Sequence, residues 1–65
     1  MKLELDPQAD AAYLEISDME IKTTREVEPG IIADYDDEGH VVGIEVLSIS
    51  KRTIPAPIKG VFTND

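Results

Sequence analysis

Asp34, Asp36 and Glu38, followed by Gly39 and Glu45, occupy positions 1, 3, 5, 6 and 12 of an EF-hand-like calcium loop. Val41 falls where such a loop wants an apolar residue. The chemistry is sensible in principle, because a hard divalent cation takes several carboxylate oxygens around a sharp turn. The flanks argue against it. An EF-hand needs a helix on each side, and here both flanks have the composition and length of strands. In a hairpin, Glu45 stands about six residues beyond the turn, and at about 3.3 Å per residue that is roughly 20 Å from the turn carboxylates. The acidic turn at 34–38 is therefore expected to be solvated, with a metal-binding module as the alternative reading.

Other chemistry finds less support. His40 is the single histidine, and no cysteine exists. A nucleophile-base pair with Ser17, Ser48 or Ser50 has no second histidine or thiol to build on. Paired carboxylates could serve glycoside hydrolysis, but so short a chain leaves no room for a cleft around them. Gly30, Gly39 and Gly43 make no phosphate-cradling motif. A non-enzymatic protein is expected, with no catalytic residue, no metal site and no cofactor.

The elements that would carry these residues are mostly strands. Met1, Leu3 and Leu5 alternate with Lys2, Glu4 and Asp6, a period of two. Asp6-Pro7 stops that strand. Residues 9–16 read two ways: Ala9, Ala12, Tyr13 and Ile16 have helical spacing, whereas as a strand Ala12, Leu14 and Ile16 share one face. Leu14 discriminates, since a helix turns it away from the stripe and a strand buries it. We favour a tight turn at 7–10 followed by a strand. Ile21 to Val27 is a polar, β-branched stretch suited to a sheet edge, and Pro29-Gly30 marks a reversal. Ile31 to Tyr35 and Val41 to Leu47 form a hairpin around Asp36-Asp37-Glu38-Gly39. Its parity places Ile31, Ala33 and Tyr35 with Val42, Ile44 and Val46, and Ile32 with Val41, Gly43 and Glu45. Residues 48–52 suit one helical turn. Pro55 and Pro57 make an extended arm of the segment that follows.

Length and composition set the frame. Sixty-five residues with no cysteine make one small domain with no disulfide to brace it. At this size folding hides only about 60 % of the unfolded chain's surface, so an isolated monomer is marginal. The expected architecture is mainly β: an antiparallel meander of about five strands over residues 1–52, a short helical turn near residue 50, and an arm at 53–65. The net charge is -8. Residues 1–45 hold 13 Asp/Glu against Lys2, Lys22 and Arg25, which disfavours nucleic acid and suits a basic protein partner. No run approaches the roughly 18 apolar residues of a membrane span, and Met-Lys-Leu-Glu-Leu-Asp lacks an apolar signal core. A cytoplasmic location is expected. If Leu14 faces the core, Tyr13 emerges on the other face with Ile32 and Val41, a candidate self-association patch. A homodimer is expected.

Two stretches carry a resemblance. Leu5-Asp6-Pro7-Gln8-Ala9-Asp10-Ala11-Ala12-Tyr13-Leu14 is similar to an Asp-Pro-x-Ala-Asp-Ala-Leu-Tyr-Ile opening, and Val41-Val42-Gly43-Ile44-Glu45-Val46-Leu47, after an acidic turn ending in glycine, resembles a second signature. Together they resemble the small bacterial and archaeal domain-of-unknown-function family 2283 over residues 1 to about 52. Leu5 stands where members often have tyrosine and Ala12 where they often have leucine. The resemblance implies a compact, mainly β domain, which supports the strand reading of 11–16. It implies no activity. Some members look like small partners encoded beside toxin-like proteins, which suggests an antitoxin-type role.

Overall fold

The computed structural model describes residues 1–52; the expected arm at 53–65 lies outside them. Five strands form one antiparallel sheet: β1 (Lys2–Asp6), β2 (Ala11–Glu15), β3 (Thr23–Glu28), β4 (Ile31–Tyr35) and β5 (Val41–Leu47), followed by a 3-10 turn at Ile49–Lys51. The ambiguous stretch after Pro7 is a turn and a strand. Ala9 N donates to Asp6 Oδ1 (3.1 Å), and Asp10 adopts a left-handed φ of 54° to launch β2.

The spatial order is β1-β2-β5-β4-β3, so one connection departs from a simple meander. Residues 16–22 carry the chain from β2 to the far edge, and the β3-β4-β5 hairpins bring it back until β5 lies beside β2. This is a Greek-key arrangement. It puts the polar strand β3 at an edge, where its charged side chains discourage further pairing. Pro29-Gly30, with Gly30 at φ 81°, has the type II turn pattern that returns β3 into β4.

Register sorts the side chains into two faces. Across one face run the rows Leu3–Leu14–Ile44–Ala33–Arg25 and Leu5–Ala12–Val46–Ile31. Leu14 therefore lies beside Leu3 and Ile44 on the apolar side, which a helix would not allow. Across the other face run Lys2–Glu15–Gly43–Asp34–Thr24 and Glu4–Tyr13–Glu45–Ile32–Glu26. The hairpin parity holds for Ile31 and Ala33 against Val46 and Ile44, and for Ile32 against Glu45. It breaks past Asp34, where a register shift sets Tyr35 opposite Val41.

Among the described residues the buried apolar set is small: Ala11, Ala12, Ala33 and Val42, the last 2 % exposed. Leu14, Ile31, Ile44 and Val46 are half-buried, and on β1 Leu3 is 39 % and Leu5 54 % exposed. The far end of the sheet is tied instead by polar groups. Asp10 Oδ1 accepts from Ser50 N (3.1 Å) and Oδ2 from Ser50 Oγ (2.8 Å). Arg52 donates from Nε to Leu47 O and from Nη2 to Pro29 O, both at 2.8 Å.

Candidate functional site

Tyr13 is the centre of the polar face. Its neighbours across the strands are Glu4 on β1 and Glu45 on β5. The ring lies over Gly43, where a Cβ would collide with the Tyr13 hydroxyl. A glycine inside a strand often marks such a close approach. The hydroxyl donates to Asp34 Oδ2 (2.9 Å), while Thr24 Oγ1 donates to Asp34 Oδ1 (2.7 Å). Three strands, β2, β4 and β3, are thus linked through one carboxylate. Burial pushes the Tyr13 phenol above its ordinary value, and the Asp34 hydrogen bond and the charges of Asp34, Glu15 and Glu45 push the same way.

By register this face carries the carboxylates Glu4, Asp6, Glu15, Glu26, Asp34 and Glu45, with Lys2 as the one base among its strand positions. The patch expected from Tyr13, Ile32 and Val41 is therefore divided. Tyr13 and Ile32 share the face but flank Glu45, and Val41 sits opposite Tyr35 beyond the register shift. The surface around Tyr13 is acidic rather than greasy, which departs from the apolar self-association patch expected there. The alternation alone placed Tyr13 and Ile32; nothing in it signalled that Glu45 would separate them, beyond its own position in the run.

The acidic turn is more structured than a solvated loop. Asp36 is only 7 % exposed. Its Oδ1 accepts from the backbone N–H groups of Glu38 and His40, each at 2.9 Å, and Asp36 N donates to His40 O (2.9 Å). The bond from His40 N is the main reason the Asp36 carboxyl titrates below its ordinary range; desolvation opposes it, and the Glu38 bond adds to it. Gly39, at φ 84°, supplies the left-handed residue the turn needs. An aspartate at the head of a tight turn is the sequence signal for this role.

The EF-hand spacing is not realised as such a loop. Both flanks are strands, Asp34 is engaged by Tyr13 and Thr24, and Glu45 lies across from Tyr13. Asp36, Glu38 and His40 do offer ligand atoms within 4.8 Å of one another. His40 is exposed, with Nδ1 3.8 Å from Asp36 Oδ2. In this cluster Asp36 Oδ1 is already committed to two backbone N–H groups.

Over the described residues, fold and surface together define a single β-sheet layer with chemically opposite faces. A family model described as "Protein of unknown function (DUF2283)" matches residues 2–50, and the chain belongs to that family. The comparisons with curated proteins and with solved structures find no significant match. No helix among the described residues is long and apolar enough to cross a membrane.

Proposed function

We propose that this protein is a non-enzymatic, cytoplasmic protein-interaction module that works as a homodimer. One observation carries the reading: among the described residues no large side chain is fully buried, although the strands bring many apolar side chains onto one side. A single sheet layer cannot bury its own apolar side, so a second layer has to come from outside the described residues. At this length the deficit is acute, because small chains without disulfides commonly rely on association for stability. Sedimentation at several concentrations tests the reading. A dimer at micromolar concentration is the expected result, and a folded monomer there refutes it.

The acidic face favours a second element of the reading. A dimer that keeps Glu4, Glu15, Glu45 and Asp34 outward presents a negative surface suited to a basic protein, in the manner of an antitoxin-like partner. Binding of such a partner should weaken steeply as salt rises from 50 to 300 mM, about the range over which screening shortens from roughly 14 to 6 Å.

A further inference from the structure

We propose that the second copy docks on the apolar face, with Leu3, Leu5, Leu14, Ile31, Ile44 and Val46 at the contact, and that Tyr13 and Ile32 stay outside it. This rests on the homodimer reading above and names its surface. A two-fold dimer sets a surface patch against its own image, so the patch must tolerate itself. The Tyr13 face fails that condition, since its self-pairing would bring Glu4, Glu15, Glu26, Asp34 and Glu45 against the same carboxylates of the partner. The apolar face meets it. From β1 to β4 its rows contain no charged residue, and Arg25 and Glu28 stand on β3 at the rim. A neutral surface with its charges held to one edge suits the core of a protein interface, which is depleted of charged residues.

Size and relief agree. Five strands about 4.8 Å apart and about five residues long give a flat footprint of roughly 350 Å². Each copy thus offers a face in the range in which apolar patches are functional, and two copies together would bury roughly 700 Å², the size of a small, reversible contact. Ala12 and Ala33 are already buried in these rows, so the relief that a partner meets is made by Leu3, Leu5, Leu14, Ile31, Ile44 and Val46.

Segment 53–65 of the same chain is the rival occupant. One extended segment is about 5 Å wide, against a face about 20 Å across, so it would cover a single strip. The described chain also ends away from this face. The Arg52 guanidinium lies against Gly30, where a Cβ would collide with it and sit 3.8 Å from Leu47 Cβ, and Leu47 follows the parity of Gly43 and Glu45 on the polar side.

Nuclear Overhauser contacts in an equimolar mixture of isotopically labelled and unlabelled full chains test the proposal. Contacts between copies are expected at the methyls of Leu14, Ile44 and Val46. A dimer whose inter-copy contacts fall on Tyr13 or Ile32, or only along β1 or β3, overturns the docking face while leaving the homodimer reading intact. Contacts to these methyls from residues 53–65 of the same chain, with none between copies, overturn it as well. A monomer in sedimentation removes the homodimer reading itself. Two substitutions on the exposed edge strand supply a measurement that does not depend on the centre of the sheet. Leu3→Glu should raise the dimer dissociation constant at least about tenfold. Glu4→Gln, its neighbour on the other face, should change it less than about twofold. Equal effects of the two overturn the proposal.

Discussion

Leu14 and Tyr13 are adjacent in β2 and belong to different chemical surroundings. Leu14 lies in a row with Leu3 and Ile44, where contact is non-directional and a neighbour of similar size would serve. Tyr13 lies on Gly43, its hydroxyl aimed at Asp34, where a change of one atom alters the arrangement. The apolar face thus depends on the amount of surface removed from water, and the polar face on where single oxygens sit. One pleated backbone supports both because successive side chains leave it on opposite sides.

The largest test of this contrast is a change of charge on each face at neighbouring positions. Ile44→Asp should cost about 3 kcal/mol or more, since a carboxylate would be left among leucines and valines without a partner. For so small a domain that is enough to lose the fold, visible by circular dichroism. Glu45→Gln, one residue on, should shift stability by no more than about 0.5 kcal/mol in urea unfolding. Equal costs would erase the distinction between the faces.

Next in size is the seat beneath Tyr13. Gly43→Ala should cost about 1–3 kcal/mol, because the added Cβ forces the ring to move. In the Tyr13→Ala background the same substitution should cost much less, and the coupling energy from the four-protein cycle measures the contact directly. Tyr13→Phe keeps the ring and removes the bond to Asp34, for a smaller loss of about 1 kcal/mol.

The finest test is pH. Asp36 titrates below its ordinary value of 3.8 in the folded chain, so folding favours its charged form. Its contribution is fully present above the unfolded value and is lost as pH falls through the folded one. Asp36→Asn should flatten the acid limb of a melting-temperature profile. Tyr13 runs the opposite way. Its folded value lies above 10.0, so its contribution is present below about pH 10 and disappears as pH rises through the folded value. Tyr13→Phe should flatten the alkaline limb.

Much of the fold was legible because alternation is a local signal. The strand at Ala11–Glu15 could be read against its helical rival through Leu14 alone, and the β4-β5 hairpin followed from two apolar runs around Gly39. The order β1-β2-β5-β4-β3 was not legible, since residues 16–22 say that the chain moves on but not which strand it will meet. The register shift after Asp34 was hidden too, and with it the position of Val41. Tyr13 and Ile32 could be assigned a face from parity. Their separation by Glu45, and the engagement of Asp34 by Tyr13 and Thr24, are long-range facts that depend on three strands meeting.

The chain has two tyrosines and no tryptophan, and the strands point those rings to opposite sides: Tyr13 with the carboxylates, Tyr35 with Ile31 and Ala33 and under the Arg25 guanidinium, 5.4 Å from its ring centre. Each surface consequently carries its own intrinsic fluorophore. With Tyr35→Phe or Tyr13→Phe in turn, the remaining emission reports solvent access on one side only, so the sheet comes with a separate optical channel for whatever approaches it from either direction.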